Sequence, residues 1–211
     1  MTDPTSIKHI AVAGNIGAGK TTLVNKLSQH YGWEPLFESV DDNPYLADFY
    51  EDMEKWAFPL QIFFLHSRFR QAHAILESPS PVIQDRTIYE DAHIFARNLH
   101  ESGKLSERDY QNYFSLFQSM TDVVRPPDLL IYLKASIPTL IAQIARRGRE
   151  YESSISIRYL EDLNRHYDEW IDQYDRGNLL IMDVDSLDYA NNPEDLGFVI
   201  RKIDSELFGL F

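Results

Sequence analysis

Short apolar runs alternate along the chain with longer segments in which apolar residues recur every three or four positions. The runs predict β-strands, and the longer segments predict helices with one apolar face. The predicted strands cover residues 8–13, 34–38, 82–85, 129–133 and 179–183. The predicted helices cover residues 20–31, 44–53, 56–76, 89–101, 107–124, 138–147, 157–174 and 193–208. This alternation is typical of a three-layer α/β fold with a parallel sheet between helices, and residues 1–211 are predicted to form one domain.

Three predicted helices have residues at their starts that favour a helix. Asn43-Pro44 and Asn192-Pro193 each place an amide side chain before a proline, and Ser106 precedes Asp109 by three positions. Such side chains accept hydrogen bonds from the free N–H groups of a first helical turn. We therefore expect Asn43, Ser106 and Asn192 to cap these helices.

The segment after the first predicted strand matches the phosphate-binding pattern G-x-x-x-x-G-K-[ST] at every specified position. Its glycines let backbone N–H groups close around phosphate oxygens, and the following helix adds its N-terminal dipole. Lys20 is predicted to bridge the β- and γ-phosphates, and the Thr21 hydroxyl to ligate Mg²⁺. The sequence therefore predicts a P-loop NTPase-type fold that binds ATP and Mg²⁺ through Gly14, Asn15, Ile16, Gly17, Ala18, Gly19, Lys20, Thr21 and Thr22.

The residues at the end of the third predicted strand indicate the class of P-loop protein. A regulatory GTPase needs a guanine-reading Asn-Lys-x-Asp, but the chain's Asn25-Lys26 lies inside the first predicted helix. Asp85 and Arg86 stand where parallel sheets bind ligands, beyond a strand's carboxyl end. Asp85 can take the proton of an attacking hydroxyl while Arg86 stabilises charge on the phosphoryl group. Elsewhere such a pair is usually a surface ion pair, but this position favours a small-molecule kinase.

A cluster of arginines is predicted to close over the γ-phosphate. Arg146, Arg147 and Arg149 stand at the end of a predicted helix, and Gly148 allows the bend that a lid needs. Cations also stabilise a helix C-terminus, and the two interpretations are compatible.

Composition limits the partners and the compartment. The formal net charge is −13, which opposes binding of polymeric nucleic acid. The chain has no cysteine, so disulfides, thiolate zinc sites and cysteine nucleophiles are excluded, as suits a reducing cytoplasm. The N-terminus lacks a secretory pattern, and no apolar run has the length of a membrane helix. We therefore expect a cytoplasmic protein that does not contact membranes.

Several motifs together resemble the deoxyribonucleoside kinases, and the bacterial deoxyadenosine and deoxyguanosine kinases most of all. The resemblance runs from about residue 8 to 170 and includes their spacing. It rests on Gly14 to Thr22, Glu38-Ser39-Val40, Trp56, Gln61, Ser67-Arg68, Asp85-Arg86-Thr87-Ile88-Tyr89-Glu90-Asp91 and Arg147-Gly148-Arg149.

The resemblance implies a parallel sheet of about five strands, a homodimer, and transfer of the ATP γ-phosphate to the 5′-hydroxyl of a deoxynucleoside. It also implies residue roles. Glu38 would be the general base, assisted by Arg86, and Asp85 would act near magnesium and the phosphates or share the base role. Tyr50 and Glu152 would bind the sugar 3′-hydroxyl. Because the family varies at Asp85, both carboxylates remain candidates for the base.

The substrate base is predicted to contact polar residues of the long third helix. Gln61 and Arg68 are seven positions apart, so they share a helix face. A glutamine amide can bond an adenine edge as donor and acceptor together, and Asp91 can pair with Arg68. By resemblance, that pair argues against thymidine and leaves adenine, guanine and cytosine. We expect a purine preference, with deoxyadenosine first.

Two other functions remain as alternatives. A nucleoside monophosphate kinase of the thymidylate type also uses a phosphate-binding loop and an Asp-Arg motif. A nucleotide-dependent switch would bind ATP without phosphorylating anything. The first would need a further cation site for the acceptor's phosphate, and the second would bind ATP with no turnover.

Overall fold

The fold was analysed in a computed structural model that describes residues 7–38 and 43–209. Five parallel strands form one sheet in the order β2-β3-β1-β4-β5. Their bounds are β1 His9–Gly14, β2 Glu34–Leu36, β3 Val82–Asp85, β4 Leu129–Lys134 and β5 Asn178–Asp183. The predicted parallel α/β architecture is confirmed.

Helices flank the sheet. They are α1 Lys20–Tyr31, α2 Leu46–Glu51, α3 Met53–Glu77, α4 Ile88–Glu90, α5 Arg97–Glu101, α6 Glu107–Thr121, α7 Ile137–Arg147, α8 Ile157–Asp172 and α9 Pro193–Phe208. A π-helical segment, Asp91–Ala96, joins α4 to α5, and a 3₁₀ turn, Glu150–Ser154, comes after α7. Among the described residues, no helix combines the length and the apolar character that crossing a membrane requires.

The strand register brings the predicted motifs to one edge of the sheet. In the central strand β1, Val12 pairs with Asp85 of β3, and Gly14 pairs with Leu133 of β4. Every residue of β1 is buried, as expected for a strand covered on both faces. The carboxyl end of β1 therefore delivers the phosphate-binding loop directly beside Asp85.

The expected helix starts are confirmed at two of three positions. Ser106 accepts a hydrogen bond from the Asp109 N–H, and Asn192 accepts one from the Glu194 N–H. The expected cap at Asn43 is wrong, because its side chain accepts the Tyr45 N–H at 2.9 Å and forms a turn before the helix. Helix α2 consequently begins at Leu46 instead of Pro44.

The buried apolar residues form two clusters. The larger one lies around the sheet and contains β1, β4 and the inner faces of α1, α8 and α9. The smaller one joins α3 to α6 and to the segment after β3. A cleft lined by Ile16 of the first cluster and by Phe49 and Leu60 of the second opens between them.

Candidate active site

This cleft has a volume of about 320 Å³ and contains most of the predicted site residues. Its wall includes Lys20, Thr21, Glu38, Tyr50, Gln61, Asp85, Arg86, Asp91, Arg147, Arg149 and Glu152. The first and the last of these residues are more than 100 positions apart in the sequence, and the set comes from several helices, strand ends and turns. The structure therefore brings together the phosphate, acceptor and base regions predicted separately.

The phosphate-binding loop has a backbone that only glycine adopts easily. Gly17 and Gly19 have φ angles of 86° and 92°, in the left-handed region. A Cβ on Gly17 would lie 2.8 Å from the Leu140 carbonyl oxygen, and one on Gly19 would collide with the Tyr189 hydroxyl. The loop is thus held closely by α7 and by the segment before α9.

Lys20 lies beneath this loop and is buried. Its ammonium donates hydrogen bonds of 2.8 Å to the carbonyl oxygens of Gly14 and Asn15. Burial, together with the nearby charge of Arg86, lowers the pKa of Lys20 to about 7. A bound phosphate would supply the anionic partner that the buried ammonium lacks.

Thr21 and Asp85 meet at the end of β3. The Thr21 hydroxyl donates a 2.6 Å hydrogen bond to Asp85 Oδ2. The second oxygen, Oδ1, is buried and has no hydrogen-bond partner among the described residues. One hydroxyl, one carboxylate and substrate phosphates are a donor set that suits Mg²⁺, so these two residues fit the predicted metal role.

Arg86 has an unusual backbone. Its φ is 65°, and among the described residues it is the one non-glycine residue with positive φ. The Arg86 N–H donates to the Val12 carbonyl, and the guanidinium lies 4.4 Å from the ring centre of Phe95. Strain of this kind is common where a side chain must be aimed at a ligand. Here it turns Arg86 into the cleft.

Glu38 lies beyond the end of β2 and is held by two arginines. Its Oε1 is 3.0 Å from Arg68 Nη2 and 3.5 Å from Arg86 Nη1. Burial alone would raise the pKa of Glu38, but the charges of Arg86 and Arg68 outweigh it and lower the pKa. The carboxylate is therefore ionised and available to accept a proton. Ser39 and Val40 of the same motif lie outside the described residues.

Gln61 and Asp91 are polar members of a cleft wall that also contains the apolar Phe49, Leu60 and Phe64. Gln61 Oε1 and Asp91 Oδ2 are buried, and neither has a hydrogen-bond partner among the described residues. Burial raises the pKa of Asp91 to about 7, although the charge of Arg68 opposes this. Buried acceptor atoms without a hydrogen bond are costly unless a ligand bonds them.

Arg68 lies behind this wall and supports it. Its Nε is 3.6 Å from Asp91 Oδ2, which is the ion pair expected from the sequence. Its Nη1 donates to the Asp85 carbonyl oxygen at 2.9 Å, and its Nη2 to Glu38. Only 1% of the side chain is exposed. Arg68 therefore links three of the four acidic residues named in the cleft wall, Glu38, Asp85 and Asp91, a role that sequence spacing alone did not suggest.

The arginine cluster divides between two places. Arg147 forms a bidentate ion pair with Glu152, at 2.6 and 3.0 Å, and Arg149 Nη1 lies 3.5 Å from the same carboxylate. Both arginines line the cleft, where Tyr151 stacks on Tyr50. Arg146 instead lines a small second cavity beside Gly19 and Thr22, so the structure does not group it with the other two.

Two buried residues near the loop were missed by the sequence analysis. Glu90 accepts the Thr87 N–H and lies beside Gly14, and the Tyr167 hydroxyl contacts both Glu90 and Gly14. The spacing of Thr87 and Glu90 is that of a capping box, so a local signal for Glu90 existed. Tyr167 has no local signal, because its contact is made across 153 positions.

Comparison with known proteins agrees with this geometry. The family model described as deoxynucleoside kinase matches residues 10–208, nearly the whole chain. The chain belongs to the deoxynucleoside kinase family. A deoxyadenosine/deoxycytidine kinase of Bacillus subtilis is 38% identical over 198 residues, which cover 93% of this chain and 91% of that one. A deoxyadenosine kinase of Dictyostelium discoideum is 45% identical, over 80% of this chain and 68% of that one.

Solved structures of this family share the fold. Deoxyadenosine kinase from M. mycoides with bound dATP superposes with a TM-score of 0.83 at 32% identity, over 94% of this chain and 100% of that one. The same enzyme with dCMP and dCDP gives a TM-score of 0.82, over 93% and 99% of the two chains. The family, the P-loop fold and phosphorylation of a deoxynucleoside by ATP are therefore confirmed. The two alternatives, a monophosphate kinase and a non-catalytic switch, are not supported.

Proposed function

We propose that this deoxynucleoside kinase prefers deoxyadenosine and transfers the ATP γ-phosphate to its 5′-hydroxyl. The observation that carries the proposal is that two buried acceptor atoms of the cleft wall, Gln61 Oε1 and Asp91 Oδ2, accept no hydrogen bond from the described residues. Adenine and cytosine offer an exocyclic amino donor there, whereas guanine and thymine offer an oxygen acceptor. Relatives named as deoxyadenosine kinases support the choice of adenine.

Glu38 is the general base of the proposed reaction. It takes the proton of the 5′-hydroxyl as the oxygen forms its bond to the γ-phosphorus and the bond to the β-phosphate oxygen breaks. Asp85 is the weaker candidate, because it already accepts the Thr21 hydroxyl at 2.6 Å. Arg86, 3.5 Å from Glu38, stabilises the charge on the phosphoryl group.

The donor is held by the phosphate-binding loop, from Gly14 to Thr22. Lys20 donates to the phosphates, and Arg147 and Arg149 act as the lid. Thr21 and Asp85 would hold Mg²⁺, which would neutralise charge on the phosphates. The second cavity, beside Gly19, receives the nucleoside part of ATP, with Arg146 on its wall.

The sugar and the assembly complete the proposal. Tyr50 and Glu152 both line the cleft, and they bind the 3′-hydroxyl. By family resemblance the enzyme acts as a cytoplasmic homodimer. Sedimentation at micromolar concentration tests that assembly, and a monomer would contradict it.

The function is tested by transfer of labelled γ-phosphate to deoxyadenosine, deoxyguanosine, deoxycytidine, thymidine and their monophosphates, with and without Mg²⁺. We expect deoxyadenosine to react with the highest kcat/KM, and Lys20→Ala to reduce turnover by several orders of magnitude. If only the monophosphates react, the protein is a nucleoside monophosphate kinase of the thymidylate type. If no acceptor reacts although the protein binds ATP, it is a nucleotide-dependent switch.

A substitution at Gln61 separates base recognition from donor binding. Gln61→Ala removes an amide from the cleft wall, and we expect KM for deoxyadenosine to rise about tenfold or more with little change in KM for ATP. Gln111→Ala is the control, since Gln111 is an exposed helical glutamine of α6. Equal losses for both substrates would contradict the role of Gln61.

A further inference from the structure

Helix α8 supports the phosphate-binding loop from behind at two points. Asn15 Nδ2 donates to the Leu160 carbonyl at 3.0 Å and to Asn164 Oδ1 at 2.7 Å. One turn further along α8, the buried Tyr167 places its hydroxyl 2.8 Å from the Gly14 carbonyl oxygen. Its ring stacks on Tyr132 of β4, with centroids 5.6 Å apart, which fixes the direction of the hydroxyl.

Glu90 connects this point to the segment that carries Asp85 and Arg86. Its side chain is fully buried. Oε2 accepts the Thr87 N–H at 2.9 Å, while Oε1 lies 2.8 Å from the Tyr167 hydroxyl and 3.4 Å from the Gly14 nitrogen. One carboxyl group therefore joins the start of the loop to the residue after Arg86. Burial raises the pKa of Glu90, and the charges of Arg86 and Lys20 oppose this.

The Gly14 carbonyl oxygen has two donors at the same distance. Lys20 Nζ donates to it at 2.8 Å, and the Tyr167 hydroxyl is also 2.8 Å away. Lys20 has three N–H donors, so it can keep this contact and still donate to a phosphate. A phenol has one proton, which Tyr167 can direct to Glu90 or to Gly14. Tyr167 and Lys20 together therefore hold the first carbonyl of the loop.

We propose that Tyr167 and Glu90 are positioning residues of the donor site. The Tyr167 hydroxyl fixes the Gly14 carbonyl, and Glu90 joins the Gly14 nitrogen to that of Thr87, so the loop keeps its position relative to Arg86. Neither residue touches substrate. The inference rests on the proposed function, because it assumes that the loop binds the phosphates of ATP.

The test compares two tyrosines that stack on each other. Tyr167→Phe removes the hydroxyl and retains the ring, and we expect the Kd for ATP to rise about tenfold while KM for deoxyadenosine changes little. Tyr132→Phe is the control, since no hydrogen bond joins the Tyr132 hydroxyl to the loop in the described part of the chain. Calorimetric titration well below the melting temperature measures the Kd for ATP on folded protein. A rise in Kd therefore cannot result from unfolding of a less stable variant.

A double variant tests whether the two residues act together. Glu90→Gln keeps the size of the side chain but leaves one acceptor oxygen in place of two. Because groups in one hydrogen-bond network do not act independently, the loss of ATP binding free energy in the double variant should differ strongly from the sum of the losses in Glu90→Gln and Tyr167→Phe. Equal Kd values for Tyr167→Phe and Tyr132→Phe, or additive effects, would overturn the inference. A wild-type protein that binds ATP but phosphorylates no deoxynucleoside would instead overturn the proposed function, and the comparison of Kd values would still decide the role of Tyr167.

Discussion

Gly19 stands where the phosphate-binding loop passes under the Tyr189 hydroxyl, with a φ of 92°. In Gly19→Ala the methyl group meets that hydroxyl, so either the loop or Tyr189 must move. We expect the Kd for ATP to rise about tenfold or more, because displaced loop N–H groups no longer meet the phosphates. Titration with ATP and Mg²⁺ measures this change.

Gly32→Ala is the control for Gly19→Ala, because it introduces backbone strain without a steric clash. Gly32 also has a left-handed φ, 72°, but nothing lies within 4 Å of an added Cβ. The variant should lose about 1–2 kcal/mol of stability from strain and bind ATP normally. If Gly19→Ala behaves in the same way, contact with Tyr189 is unimportant for the loop.

At the scale of single residues, local motifs were predictable and distant partners were not. The loop from Gly14 to Thr21 is predicted by a fixed pattern, and Asp85 by its place at a strand end. The position of Arg146 was not predictable, because one residue along a helix turns a side chain by about 100°. Arg146 therefore faces the second cavity while Arg147 faces the cleft.

The strands β1 and β3 are joined by a buried histidine as well as by their backbones. His9 Nε2 lies 2.9 Å from Gln84 Oε1, and burial lowers the pKa of His9 from 6.5 to about 4. The unfolded chain thus binds a proton at higher pH than the folded protein does. This contribution to stability is complete above pH 6.5 and is lost as the pH falls toward 4.

We expect the free energy of unfolding to fall by about 3 kcal/mol from this one group across that pH range. His9→Gln should flatten the pH dependence measured by urea unfolding. His73→Gln should not, since 70% of the His73 side chain is exposed. An unchanged slope in His9→Gln would show that His9 does not carry this dependence.

Helix α1, helix α9 and strand β3 occur at their predicted bounds, because apolar spacing and end residues agree there. The segment from Ile88 to Glu101 was predicted as one helix from residue 89, but it contains the π-helical turn Asp91–Ala96. That turn places Asp91 in the cleft, and π-turns are frequent at functional sites. Periodicity cannot reveal it, since the turn is stabilised by tertiary contacts.

On the scale of the whole molecule, the described residues form two apolar clusters with the candidate active-site cleft between them. A ligand in the cleft contacts residues of both, for example Ile16 and Leu60. Binding should therefore stabilise the entire chain against unfolding. Glu38, Asp91 and Glu152 come from three different loops or turns, so residue spacing alone could not bring them together, and Glu38 and Glu152 were assigned to the site only through the family resemblance.

At 100 times Kd, a ligand specific for the folded state should raise the melting temperature by roughly 5–10 °C. We expect deoxyadenosine and a non-hydrolysable ATP analogue each to do so in scanning calorimetry, while thymidine at the same concentration has a smaller effect. A rise in only part of the transition would indicate that the two clusters unfold separately.

The ion pair between Arg147 and Glu152 bears on how the protein treats ATP when no nucleoside is present. In the proposed reaction a sugar 3′-hydroxyl would compete with Arg147 and Arg149 for Glu152 Oε1, so arrival of the acceptor would loosen these ion pairs. Water offers no 3′-hydroxyl and would leave the pairs intact. Hydrolysis of ATP without an acceptor would thereby be kept slow until a nucleoside is in place.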